Sequence, residues 1–172
     1  DSCTWLERVS DGAFDIRPDG PGGRIDPAGF VKGWAAERAA GTLVSAGLEH
    51  WYVSVGGDVI VHGSPAPGES WRIGISDPTQ RDLVVATLDL AAGAVATSGT
   101  GERGAHLWDR RVDAPARELL SLTVTGPSLT WADAFATAAF VMGEAGVEWV
   151  SQFEDYRAIA LLPNHTLLHS AF

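Results

Sequence analysis

Asp133 and Thr137 stand four residues apart in the stretch Thr130-Trp131-Ala132-Asp133-Ala134-Phe135-Ala136-Thr137. On a helix that spacing stacks the two side chains one turn apart on the same face. A carboxylate and a hydroxyl so placed offer two hard oxygen ligands to a small divalent cation such as magnesium, which takes few protein ligands and keeps sites open for water or phosphate oxygens. The same residues fit a plainer role, with Thr130 as N-cap, Asp133 at the N3 position of a capping box and Thr137 tolerated on the helix. Spacing alone favours the plainer role.

Two further stretches gather polar chemistry. In Asp26-Pro27-Ala28-Gly29-Phe30-Val31-Lys32-Gly33-Trp34-Ala35-Ala36-Glu37-Arg38, two glycines bracket a helix start, where free N–H groups favour anions. Lys32 adds a mobile positive charge there, and Glu37 lies about one turn further on. The order of a Walker phosphate loop is absent. In Ala94 to Leu107, small residues follow a strand and let backbone amides approach a ligand, while Thr97, Ser98, Glu102, Arg103 and His106 crowd polar groups beside Gly99. Turn formation with a solvated lysine is the favoured account of the first stretch taken alone, and a polar hairpin loop accounts equally for the second. His50 and His62 fall at strand ends. His165 and His169 are four apart in an expected hairpin, which gives them no shared helix face and no metal-pair geometry. The seven tryptophans read mostly as core; Trp34 and Trp108, beside the polar stretches, are also candidates to wall a pocket for an aromatic-ring ligand.

The elements that must position these groups follow from pattern. Residues 11–29 are dense in Gly, Pro and Asp and read as turns. Residues 29–46 carry apolar side chains at helical spacing up to Gly47. Strands are expected at 51–55 and 58–63 around Gly56-Gly57, then at 71–75, 83–90, 94–98 and 122–126, with Asp77-Pro78 and Ala92-Gly93 as punctuation. Helices are expected at 131–142 and 147–153, and a closing hairpin at 158–162 and 166–172 turned at Pro163-Asn164. Strands grouped between helices give an α+β domain with a mainly antiparallel sheet.

Composition narrows the function. With 172 residues the chain reads as a single domain, residues 1–172, with one buried core. A net charge of -10 argues against a nucleic-acid footprint, and a phosphate-bearing ligand here needs a metal ion or backbone N–H groups to offset its charge. Cys3 is the only cysteine, so no internal disulfide forms. No apolar run reaches the ~18 residues of a membrane span.

Taken in order, the stretches resemble the ApbE-type FAD:protein FMN transferases. The resemblance is carried by DPAGFVKGWAAER (26–38), VSVGGD (53–58), WRIGISDP (71–78), ATSG (96–99), the segment His106-Leu107-Trp108-Asp109, SLTV (121–124) and ADAFATAAFVMG (132–143). The wording VKGWAAERA is similar to the actinobacterial branch. The resemblance implies an ApbE-like, T-fold-related domain. It implies magnesium against the FAD pyrophosphate, held by the Asp133 carboxylate, the Thr137 hydroxyl and the Val31 carbonyl. Lys32, Glu37 and Glu102 match cofactor-side positions, as do Thr97, Ser98 and Gly99. His106 matches a histidine needed for activity, and His106 or Asp133 is implied as the base. The implied reaction moves FMN from FAD to a threonine or serine hydroxyl of a target protein, with AMP leaving. FAD hydrolysis to FMN and AMP, and non-catalytic FAD binding, are the alternatives. Asp109-Arg110-Arg111-Val112-Asp113 departs from the family's turn after the histidine, and the family's N-terminal region is not among these residues.

Overall fold

The computed structural model describes residues 1–17, 23–100 and 107–170. Six strands form one antiparallel sheet in the order β1-β2-β5-β8-β9-β10. These are β1 (Trp51–Val55), β2 (Asp58–His62), β5 (Ala92–Gly99), β8 (Ser121–Gly126), β9 (Arg157–Leu161) and β10 (Leu167–His169). Between β2 and β5 the chain leaves the sheet to build a separate hairpin, β3 (Trp71–Ser76) with β4 (Val84–Leu90). A pair of two-residue strands, β6 (Trp108–Asp109) and β7 (Ala114–Pro115), lies in the segment between β5 and β8.

The helices are α1 (Ser2–Val9), α2 (Ala28–Ser45), α3 (Leu129–Met142) and α4 (Glu144–Val150). Helix α3 is buried on almost every side, which marks a helix enclosed by its neighbours. It packs on β5 and β8 with one side and on α2 and α4 with others. Leu122, Val124, Leu129, Ala132, Ala136 and Ala139 are fully buried in this shared core. An alanine-rich helix suits the place because small side chains let helix and sheet approach closely.

The expected α+β class and mainly antiparallel sheet agree with this architecture. Three local expectations differ. Helix α3 begins at Leu129 with Ser128 as its N-cap, the Ser128 hydroxyl accepting from the Trp131 N–H at 3.3 Å. The capping box headed by Thr130 is therefore corrected: the Thr130 hydroxyl donates to the Glu37 carboxylate, and Asp133 turns to α2. The fourth helix starts at Glu144 and ends at Val150, ahead of the expected 147–153. Helix α1 was not expected; its Leu6 is fully buried and Trp5 meets Trp131 edge-on at 5.2 Å, so packing of its apolar face sustains this short helix.

Candidate functional site

Gly33 sets the crossing of α2 and α3. A Cβ added there would lie 2.6 Å from the Leu129 carbonyl oxygen and 2.9 Å from the Thr130 Cα, so only a residue without a side chain lets the two backbones meet. At this contact the Gly33 N–H donates to Asp133 Oδ2 at 3.2 Å. Lys32, one residue earlier, brings its ammonium to 3.3 Å from Asp133 Oδ1. The same ammonium lies 2.6 Å from Asp58 Oδ2.

Asp58 reaches this point by strand register. The Gly56-Gly57 turn, with φ of 56° and 87°, closes the β1–β2 hairpin and pairs Val55 with Asp58. Asp58 then shares the inward row of β2 with Ile60, and its Oδ1 accepts the Thr97 N–H from neighbouring β5 at 3.0 Å. Its Oδ2 meets Lys32 and finds no second donor among the described residues. Two nearly inaccessible carboxylates, Asp58 at 1% and Asp133 at 4% exposure, thus share one ammonium.

Burial pushes the Asp58 carboxyl up to about 6 against the pull of Lys32, and neighbouring Asp133 adds to the rise. Burial also raises Asp133, opposed by Lys32 and the Gly33 amide. Burial alone would lower the Lys32 ammonium, but Asp58 and Asp133 outweigh it and hold it above its ordinary range. The cluster carries two potential negative charges on one positive charge, so it has an electrostatic appetite for a further cation.

The cluster lies in a cleft of about 770 Å³, a size suited to a cofactor-scale ligand. Val31, Lys32, Thr97, Ser98, Gly99, Asp133 and Thr137 all line it, so most of the sequence-derived site converges. Thr137 presents Oγ1 at 3.3 Å from the Ser98 hydroxyl, and Thr97 Oγ1 lies 2.8 Å from Thr123 Oγ1. Trp108 also lines the cleft, whereas Trp34 stands outside it, half exposed under the Arg38 guanidinium. Lys32, Arg81 and Arg110 bring positive charge to the lining.

Glu37 does not line the cleft. Its carboxylate accepts the Leu129 N–H at 3.0 Å and the Thr130 hydroxyl, satisfying the first turn of α3 and complementing its dipole. His106 and Glu102 lie outside the described residues; Gly99 and Leu107, which are described, both line the cleft. Among the described residues no group of three or more His, Cys, Asp or Glu side chains forms a metal centre. Any cation here would rest on the Asp133 or Asp58 carboxylate together with hydroxyl and backbone oxygens.

Sequence reasoning left Asp58 without a role, although it quoted the Gly-Gly-Asp turn. The available signal was an aspartate in phase with the buried row of a strand, where a carboxylate needs a partner. Asp77 and Arg110, also in the lining, were passed over.

Residues 2–160 match the ApbE family. The chain belongs to the ApbE family. Over 157 residues, 86% of its length, it is 31% identical to the FAD:protein FMN transferase of Salmonella typhimurium strain LT2, covering 45% of that protein. Over 153 residues, 83% of its length, it is 32% identical to the FAD:protein FMN transferase of Vibrio cholerae, covering 46% of that protein. The chain thus spans about half the length of these curated relatives. The crystal structure of the ApbE protein of Thermotoga maritima superposes with a TM-score of 0.84 at 27% identity, over 98% of this chain and 73% of that one. The flavin transferase ApbE of Vibrio cholerae shares the fold, with a TM-score of 0.83 at 24% identity over 98% and 72% of the two chains. The Lys32–Asp58–Asp133 cluster lines the cleft of this ApbE fold.

Proposed function

We propose that this chain carries the flavin-transfer site of an enzyme that moves FMN from FAD to a threonine or serine hydroxyl of a target protein, releasing AMP. The observation that carries the reading is the convergence of Val31, Asp133 and Thr137 on one cleft that already holds a cation, the Lys32 ammonium, against buried carboxylates. The names of the relatives supply the substrate class.

The donor set fits magnesium: a carboxylate, a hydroxyl one helical turn away and a main-chain carbonyl are hard oxygens, and they leave positions for phosphate oxygens. The Asp133 carboxylate, the Thr137 hydroxyl and the Val31 carbonyl would hold the ion. The chemistry it supplies is neutralisation of charge on the FAD diphosphate.

The chain's own groups do the rest. Lys32, anchored by Asp58, keeps a positive charge beside the diphosphate. Thr97, Ser98 and Gly99, at the end of β5, offer hydroxyl and backbone groups to the ligand. The acceptor hydroxyl oxygen forms a bond to the FMN phosphorus, the P–O bond to AMP breaks, and AMP departs with the electron pair. The hydroxyl proton goes to His106. Asp133 is a poor base because Gly33 and Lys32 already engage its two oxygens. Glu102 is assigned to the adenosine side by family resemblance; Glu37, which does not line the cleft, instead holds the first turn of α3.

Co-expression with a target bearing a flavin-acceptor segment, followed by mass spectrometry, tests the reading. The expected result is a target heavier by one FMN, and a loss of about 10²–10³-fold in transfer for Asp133→Ala with the fold intact. AMP and FMN released without any modified target would establish hydrolysis instead. Normal turnover by the Asp133→Ala variant would refute the metal assignment.

A further inference from the structure

The β3–β4 hairpin leaves the main sheet as an arm. No residue of 71–90 joins the main hydrophobic cluster, and Ile75, 5% exposed, is the arm's single buried apolar side chain. Yet Gly74, Ile75, Ser76, Asp77, Pro78 and Arg81 all line the cleft. The arm therefore shapes the ligand site while standing outside the main cluster. At its base the Trp71 indole N–H donates to the His62 carbonyl at 3.1 Å, and the Tyr52 and Trp71 rings meet at 5.4 Å.

At its far end the fastening is Asp77. Its Oδ1 accepts the Thr79 N–H at 2.7 Å, the Thr79 hydroxyl at 2.6 Å and the Gln80 N–H at 3.2 Å, which orders the loop between β3 and β4. Those bonds leave Oδ2 free to meet His165 Nδ1, 2.7 Å away and 88 positions along the chain. The Asp77 side chain is wholly inaccessible, while the imidazole that closes over it is 46% exposed. The Thr79 hydroxyl, opposed by burial and aided by the Thr79 amide and His165, keeps the carboxyl down at about 2, so Asp77 stays anionic.

His165 occupies an unusual backbone position. The β9–β10 loop makes a β-turn from Leu162 to His165, closed by the His165 N–H to the Leu162 carbonyl at 2.8 Å, with Pro163 and Asn164 at its centre. The next residue of such a three-residue loop adopts the left-handed region and is ordinarily glycine. Here it is His165, with φ of 62°. A local rule is broken, and the imidazole's contact with Asp77 is what the break secures.

We propose that His165 is a positioning residue: bonded to Asp77, it fastens the β3–β4 arm to the β9–β10 end of the sheet and so sets the cleft wall that the flavin nucleotide meets. The ligand named here rests on the proposed FAD chemistry; the fastening itself does not. Glycine at 165 relieves the backbone and removes the ring, which separates positioning from stability. For His165→Gly the expected result is a KM for FAD raised about tenfold with kcat within about twofold. Its melting temperature is no lower than wild type, and amide exchange is faster across residues 76–83. His165→Asn tolerates the same backbone and retains an N–H donor, and it restores most of the lost affinity and protection. His165→Gly with unchanged KM and unchanged exchange at 76–83 would overturn the proposal, as would His165→Asn behaving like His165→Gly. If the wild-type chain neither binds nor turns over FAD, the functional reading fails, and the exchange comparison by itself decides the fastening.

Discussion

The bottom of the cleft and the β3–β4 arm border the same ligand space but are held by different means. At the bottom, α2 lies directly on the α3 backbone at Gly33, and the Lys32–Asp58–Asp133 cluster sits on a core of leucine, valine and alanine. The arm lies outside that main cluster, buries only Ile75 among its apolar side chains, and is otherwise held by a few polar and ring contacts at its two ends. Close packing resists displacement over the whole contact, whereas individual hydrogen bonds can open one at a time at modest cost. The charged cluster is thus preorganised and the arm is adjustable. For the proposed flavin transfer, that division pairs a rigid seat for the diphosphate with an adjustable wall for the nucleotide and the acceptor.

The largest effect should come from separating α2 and α3. Gly33→Val drives a branched side chain into the Leu129 carbonyl, so a loss of about 3 kcal/mol or more is expected in chemical denaturation, together with loss of activity. A mild effect there would dissolve the contrast, because the bottom of the cleft would then be as yielding as the arm.

Asp58→Asn tests the electrostatics of the cluster. The carboxyl is raised from 3.8 to about 6 in the folded protein, so the folded state binds its proton more tightly than the unfolded chain. The stability this confers is fully present below about pH 4 and is lost as pH rises through about 6, on the order of 2–3 kcal/mol. Thermal unfolding from pH 4 to 7 should show that decline in the wild type and a flatter profile in Asp58→Asn. Parallel profiles would mean that Lys32 fully offsets the burial of Asp58.

The arm should answer more quietly. Thr79→Val removes one donor to Asp77 at an outlying loop, and a change within about 0.5 kcal/mol of global stability is expected. Hydrogen exchange at Gln80 should nevertheless rise, since its amide also leans on Asp77. A global loss as large as that of Gly33→Val would show the arm to be part of the core unit.

Much of this organisation was legible in the residues. The four-residue spacing of Asp133 and Thr137, the glycine-bracketed helix start at Lys32 and the Thr97-Ser98-Gly99 strand end all converge on the cleft, and the strands follow their apolar alternation. Other roles depend on contacts between distant parts of the chain. Thr130 looked like an N-cap because Glu37, 93 positions away, could not be seen to claim its hydroxyl. Asp58 acquires its role only when β2 pairs with β5 and α2 crosses above it. His165 reads as an ordinary turn residue until the arm brings Asp77 to it.

In the proposed function, Asp133 and Thr137 grip a cation over a nucleotide diphosphate. A crystal structure with FAD and magnesium tests it most directly. The predicted result is a magnesium ion about 2.1 Å from an Asp133 carboxylate oxygen and from Thr137 Oγ1, touching the diphosphate, with Lys32 still held by Asp58. Diphosphate bound elsewhere, with the Lys32 ammonium still bridging Asp58 and Asp133 and no metal between them, would contradict it.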